Sequence, residues 1–237
     1  MIRKIVFSSM WLLLVGYGVA FGIYGINASA KEAFQQDLDL IINMSILEWD
    51  GINPILIAVF FIMGIFPLLY GAFILFDSKK QPVSPVPFFA TSFGLGAFAL
   101  LPYFVLRQRD TNWDNRKSLL LKALDSRLVA IISSTSILAF IIWGVVNGNW
   151  SNFVEQWHTS QFVHVMTIDF CTLSILLPFT ILEDDMERRG VEHQKLFWII
   201  ALIPLFGSLI YWCVRPQLPQ DANSVEQGQE LALKSNE

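Results

Sequence analysis

The sequence predicts an all-α fold, a polytopic transmembrane helical bundle of about six spans with amphipathic helices lying at the membrane interface. Of its 237 residues, 54% are hydrophobic and only 15% are charged, and the mean hydropathy is +0.51. In soluble domains, roughly a quarter of the residues are charged. Apolar runs of about 20 residues recur along the chain, and a helix of that length crosses roughly 30 Å of hydrocarbon.

One transmembrane domain is predicted over residues 1–215, and a disordered polar tail over residues 216–237. The first apolar run follows Arg3 and Lys4. It fits a retained helix, which we favour because a small-xxx-small face from Gly18 to Gly22 suits helix packing. It also fits a signal peptide that is cleaved after small residues. The predicted spans are residues 5–26, 54–76, 86–106, 128–146, 162–182 and 196–214.

The segments between the spans are predicted to lie along the membrane surface. Residues 27–53 have apolar positions at helical spacing among acidic ones, which is typical of an interfacial amphipathic helix. Residues 107–127 interleave basic side chains with leucines and predict a helix on anionic lipid. Residues 147–161 are predicted to be a polar connection with interfacial tryptophans. The net charge of -4, without a long basic run, makes lipid rather than nucleic acid the expected partner.

Asp169 lies inside the fifth predicted span and is the first candidate for a functional residue. A carboxylate at this depth costs roughly 2.5 to 3.5 kcal/mol to insert, so a partner is expected. The candidates are Tyr103, a basic side chain, or a hydroxyl of the fourth span such as Ser134. Those hydroxyls also fit bonds to carbonyls one turn earlier in their own helix, which is the interpretation we favour. Asp169 suits either a proton relay or a packing role.

The positions of the three histidines disfavour a haem site, which normally needs two histidines that face each other from different helices. His158 and His164 share one segment, and His193 lies beyond the opposite end of the fifth span. His164 alone fits a pigment ligand or a hydrogen-bond partner for a quinone, but the interpretation we favour is a packed, hydrogen-bonded histidine. The sequence contains no metal motif, phosphate loop or nucleophile–base pair, so neither a cofactor nor an enzymatic activity is predicted.

The fifth span ends in a charged cap that includes Asp184, Asp185, Arg188 and Arg189. Each aspartate lies four residues before an arginine, which is the favourable order for salt bridges along a helix. Gly190 follows as a natural helix stop. A DDxxD metal motif would need a carboxylate where Arg189 stands. A structural cap is therefore predicted, and no metal.

Three stretches carry a resemblance to a known group of proteins. They are FPLLYG at residues 66–71, GAFALLPY at residues 96–103 followed by Arg107, and Asp169 together with the cap that ends at Gly190. The chain after Pro54 resembles integral membrane proteins of cyanobacteria and plastids that have no assigned function. The resemblance implies the thylakoid or plasma membrane of a photosynthetic cell, and it supplies no site residues.

Three functions are compatible with these observations. The preferred one is a non-catalytic accessory or assembly component of a larger membrane complex, because the spans carry aromatic and glycine-rich packing surfaces and no catalytic residues. The second is a small solute or proton-coupled transporter using Asp169, which is indicated by prolines inside four spans, at positions 67, 102, 178 and 204. The third is a pigment- or quinone-binding membrane protein.

Overall fold

The structure, a computed structural model, describes residues 2–24, 30–77, 81–111, 118–191 and 194–218. Within these ranges every regular element is helical. Five helices are long and apolar enough to cross a membrane: Arg3–Phe21, Pro54–Ile74, Pro85–Leu106, Arg127–Asn147 and Gln161–Arg188. The predicted all-α bundle is confirmed, and the chain is a multi-pass membrane protein. His193 and residues 219–237 of the predicted tail lie outside the described residues.

The chain forms eleven α-helices over the described ranges. They are α1 (Ile2–Tyr24), α2 (Ala30–Ser45), α3 (Pro54–Ile74), α4 (Pro85–Leu106), α5 (Leu119–Leu124), α6 (Arg127–Asn147), α7 (Trp150–Thr159), α8 (Gln161–Leu177), α9 (Glu183–Arg188), α10 (Gln194–Ala201) and α11 (Phe206–Val214).

Helix α3 is the centre of the bundle. It packs against α4, α6 and α8, and its side chains Phe66, Tyr70 and Phe73 are completely buried. Helix α1 packs against α4, where the indole N–H of Trp11 donates to the carbonyl of Phe98 at 3.0 Å. The outer faces of α1 and α6 are apolar and exposed, as expected for surfaces in contact with lipid.

A π-helical turn, Pro178–Leu182, joins α8 to α9. Its cause is Pro178, which has no N–H to give to the carbonyl of Ser174 and whose ring crowds that carbonyl. The Ser174 carbonyl instead accepts from the N–H of Leu205 at 2.7 Å. The fifth predicted span therefore continues without a break from Gln161 to Arg188.

The sixth predicted span, residues 196–214, is not one helix. Residues 202–205 separate α10 from α11. Pro204 interrupts the ladder of hydrogen bonds, and Leu205 takes a left-handed φ of 61°. The backbone turns so sharply that a Cβ on Gly207 would lie 2.1 Å from the carbonyl oxygen of Ile200. Apolar composition alone gave no sign of this turn.

Two of the three interfacial segments differ from their predictions. The amphipathic helix predicted within residues 27–53 is present as α2. Residues 107–127 do not form one surface helix. In the described part of this segment before α6 begins at Arg127, only Leu119–Leu124 is helical, and Arg107 is buried. The predicted polar connection at residues 147–161 contains α7. That helix forms because the Asn149 side chain caps it by accepting from the N–H of Asn152 at 3.0 Å.

Candidate functional site

Helix α4 is broken near its middle, at Gly96. The backbone there has φ 46° and ψ −125°, a conformation that residues with a Cβ rarely adopt. The break creates a new helix start at Ala97, whose N–H has no acceptor within the helix. That N–H donates to Oδ1 of Asp169 at 2.8 Å. The carboxylate of α8 therefore caps the second half of α4.

Gly96 is needed for a second reason, because it lies against Asp169. A Cβ built on Gly96 would be 1.9 Å from Oδ2 and 2.8 Å from Cγ of that carboxyl group. No side chain fits in this space. The broken helix and the buried carboxylate are thus one structural unit, in which the glycine brings the backbone within hydrogen-bond distance of Asp169.

The partners predicted for Asp169 are engaged elsewhere. The Tyr103 hydroxyl donates to Asp77 at 2.5 Å, and the Ser134 hydroxyl lies 3.3 Å from the sulfur of Cys213. Neither of these two candidate partners bonds to Asp169. Tyr103 lies toward the end of α4, beyond the break, and α6 packs mainly against α3 and α11. Among the described residues, Asp169 accepts one hydrogen bond and forms no ion pair.

Asp169 lines a cavity of about 730 Å³ between α2, α3, α4 and α8. Its wall is mainly apolar and carries the aromatic side chains of Phe34, Phe60, Phe61, Phe93, Phe98 and Phe162. Among the described residues, the charged members of the lining are Asp169 and Asp37, and none is basic. Asp37 ties α2 to the start of α8, since its carboxylate accepts from the Ser160 hydroxyl at 2.6 Å and from the N–H of Phe162 at 2.9 Å.

His164 is packed within the bundle and does not touch the cavity. Its Nδ1 lies 2.7 Å from the carbonyl oxygen of Trp157, which only accepts, so Nδ1 carries the hydrogen. Its Nε2 lies 3.0 Å from the Tyr17 hydroxyl. The imidazole is stacked between Phe21 and Trp157, with ring centroids 3.7 Å and 4.4 Å away. This agrees with the packed interpretation, and neither ring nitrogen is free to bind a pigment.

The predicted charged cap is buried in a network of ions at the other end of the long helix. Arg107 holds Asp77 with two bonds of 2.6 and 2.7 Å, and its third nitrogen lies 2.6 Å from Asp184. Arg188 reaches Asp77 at 3.1 Å and the carbonyl of Asp110 at 2.7 Å. The predicted pairing of Asp184 with Arg188 is therefore wrong, because both side chains find partners on other helix ends.

A second group of ions adjoins the first. Arg189 binds Asp185 at 2.9 Å, so the second predicted salt bridge of the cap is confirmed. Arg189 also reaches Asp125 at 2.8 Å, and Arg215 binds Asp185 at 3.1 Å. Gly190 ends the helix at φ 70°, and its N–H donates to a carbonyl three residues back, as predicted for a helix stop.

The two groups form what we call the ion network: Asp77, Arg107, Asp125, Asp184, Asp185, Arg188, Arg189 and Arg215. Opposite charges balance, and all eight side chains are buried. Burial lowers the pKa of the Arg107 guanidinium, but the hydrogen bonds and charges of Asp77 and Asp184 outweigh it, so that pKa lies above its usual value. The network lies about 22 Å along the helix from Asp169, as fifteen residues of 1.5 Å rise imply.

Comparison of the chain with protein-family models, with curated proteins and with solved structures found no match. The interpretation of the site therefore depends on its geometry.

Sequence reasoning found Asp169 but missed the groups around it. Gly96 lies inside a predicted span, where an isolated glycine is tolerated within a helix, so the sequence does not mark the break. Asp37 was assigned only to the polar face of an interfacial helix. The partners of the cap, Asp77, Asp125 and Arg215, each follow the end of an apolar run, and that shared position is the only sequence signal that would have grouped them.

Proposed function

We propose that the protein is a membrane carrier for a small solute, with Asp169 as the ionisable group of the binding site. The observation that carries this proposal is the carboxylate at the break of α4, facing a cavity of about 730 Å³. Helices interrupted at the binding site are characteristic of secondary transporters, whose substrates and coupling ions bind at the exposed half-helix ends. Cavities of small-molecule sites usually measure roughly 300–1,000 Å³.

A purely structural role accounts less well for Asp169. A buried carboxylate that only holds helices together would be expected to have both oxygens satisfied by protein groups. Among the described residues, Oδ1 accepts from Ala97 while Oδ2 has no hydrogen-bond donor, and the residue is 5% exposed. The bundle keeps a costly charge-bearing group in its interior with half of its bonding capacity free for a ligand or a proton.

The ion network is consistent with a carrier. Alternating access requires a site that is closed toward one side of the membrane while it is reachable from the other. The cavity lies beside the amino-terminal half of α8, where α2 packs. The ion network joins the ends of α3, α4, α9 and α11 at the other end of the long helix Gln161–Arg188. In this proposal the network closes that side. The host membrane is proposed to be the thylakoid or plasma membrane of a photosynthetic cell, as the resemblance implies.

Transport by the purified chain in liposomes tests the carrier proposal. The vesicles contain a pH-sensitive dye and are exposed in turn to inorganic cations, amines, amino acids, sugars and organic acids. We expect at least one of these solutes to move with a dye response that Asp169→Asn abolishes. The matched control is Asp39→Asn, since Asp39 is exposed on α2 and, among the described residues, its side chain bonds only to Gln35. Transport that survives Asp169→Asn, or the absence of any transport, would contradict the proposal.

A second candidate is the accessory component of a larger complex that the sequence favoured. The observation that supports it is the broad apolar face of α6, with Leu128, Ile131, Ile142 and Val146 all at least half exposed. Lipid or another subunit can cover such a face. Mild-detergent extraction of the tagged chain from its native membrane distinguishes the two, because stoichiometric copurifying proteins support a complex. Visible absorption bands in the same sample would instead support pigment binding.

A further inference from the structure

We propose that the ligand of the Asp169 cavity is a small organic cation, with an ammonium-type group attached to an apolar body. The inference rests on the proposed function, because it assigns the substrate class of that same site. Four properties of the cavity lead to it: the sign of its charge, the nature of its walls, the prior engagement of its polar groups, and the helix end that borders it.

The fixed charge of the cavity is negative. Asp169 and Asp37 line it, and no lysine or arginine among the described residues does. Asp37 already accepts two hydrogen bonds that hold α2 to α8. Asp169 is the carboxylate with an open oxygen, Oδ2, and its Oδ1 is held in place by the N–H of Ala97. A ligand that compensates this charge must be positive, since an anion would meet a like charge in a poorly solvated site.

The walls suit a cation with an apolar body. Six phenylalanines contribute to the lining, and an aromatic face attracts a positive group that lies within about 6 Å of its centre. Phe93 and Phe98 belong to the two halves of α4 that meet at Gly96, so they flank the break. Aromatic rings also offer apolar surface to the rest of the ligand. Recognition of quaternary ammonium groups by aromatic side chains uses the same attraction.

The neutral polar groups of the lining are already engaged. The hydroxyl of Ser45 donates to the carbonyl of Ile41 at 2.7 Å, and that of Ser92 donates to its own helix at 2.7 Å. The side-chain amide of Gln161 donates to the carbonyl of Gly18 at 3.1 Å. A sugar or another ligand with many hydroxyl groups would find few partners here and would lose its bonds to water.

The break in α4 adds to the negative character. Residues 93–96 line the cavity, so the carboxy-terminal end of the first half-helix borders it. At a helix end the last carbonyls lack partners within the helix and carry a partial negative charge. The positive end of the second half-helix is directed at Oδ1 of Asp169. The open oxygen and the carbonyl end are thus left for a cation.

Binding to the purified full-length chain in detergent tests this inference without any need for transport. The probes are phenyltrimethylammonium and benzenesulfonate, which have a phenyl ring and a tetrahedral head group in common but opposite charge. Calorimetric titration should show binding of the cation and none of the anion. Asp169→Asn should weaken cation binding at least about tenfold, and Asp39→Asn should leave it unchanged. Phe93→Leu keeps an apolar wall without an aromatic face and should weaken cation binding several-fold.

Several results would overturn the inference. One is that folded Asp169→Asn binds the cation as tightly as the unchanged chain does. The others are that benzenesulfonate binds in preference to the cation, or that neither probe binds. If Asp169→Asn does not fold, Phe93→Leu decides, and unchanged cation binding by that variant contradicts the proposal. The two proposals also fail separately. Cation binding without transport in liposomes contradicts the carrier alone, whereas Asp169-dependent transport of an uncharged solute without cation binding contradicts the ligand class alone.

Discussion

Replacement of Arg107 by methionine tests whether the ion network holds the bundle together. Its guanidinium is inaccessible to solvent and binds the carboxylates of Asp77 and Asp184 through three nitrogens. Methionine fills a similar volume but leaves two buried aspartates with less compensation. Breaking a buried ion pair from one side typically costs about 3–5 kcal/mol. We expect Arg107→Met to lower the free energy of unfolding by an amount in that range.

Arg109→Met provides the matched control. Arg109 also forms an ion pair with Asp184 and another with Glu187, at 2.7 Å, but its side chain is 57% exposed. Exposed pairs contribute about 0–1 kcal/mol, so this variant should be nearly as stable as the unchanged chain. Both variants are unfolded by titration with a denaturing detergent and followed by circular dichroism. Equal stability of the two variants would refute the claim that the buried pairs fix the helix ends.

Two further predictions concern glycines at which a side chain has no room. Gly96→Ala places a Cβ 1.9 Å from Asp169 at a positive φ, so it should destabilise the chain by about 1–3 kcal/mol and abolish phenyltrimethylammonium binding. Gly16→Ala on α1, where nothing lies within 4 Å and which does not line the cavity, is its control and should retain binding. Gly207→Ala should lower the unfolding midpoint because its Cβ meets the backbone of Ile200 at 2.1 Å, whereas Gly64→Ala, which meets no atom within 4 Å, should not. Unchanged behaviour of both strained variants would contradict the described turn and break.

The sequence predicted the long helices well, because an apolar run of about 20 residues has few alternatives to a membrane-crossing helix. It did not predict where those helices are interrupted. The prolines of the four spans have different effects: Pro67 and Pro102 remain inside α3 and α4, Pro178 begins the π-helical turn, and Pro204 lies between α10 and α11. The break at Gly96 has no proline. Whether a helix continues depends on what receives the freed carbonyls and N–H groups, and those partners come from other helices.

The functional site was predicted in part for a related reason. A carboxylate in an apolar run is visible in any sequence, so Asp169 was identified. Its partner is a backbone N–H at Ala97, which every residue except proline carries, so no residue type indicates it. In the cap, the local pair of Asp185 with Arg189 followed from helix periodicity. The contacts of Arg107 and Arg215 depend on which helix ends meet in space, and periodicity does not contain that information.

Chemical labelling of Asp169 is the most direct test of the central claim that this carboxylate is open to the cavity. Dicyclohexylcarbodiimide is an apolar reagent that converts accessible carboxyl groups in membrane interiors to stable N-acylureas, which mass spectrometry locates by peptide. We predict that Asp169 is labelled and that phenyltrimethylammonium protects it. Asp185, which lies in the same long helix but is held by Arg189 and Arg215, should not be labelled. An unlabelled Asp169 in a chain whose exposed carboxyl groups react would contradict the account.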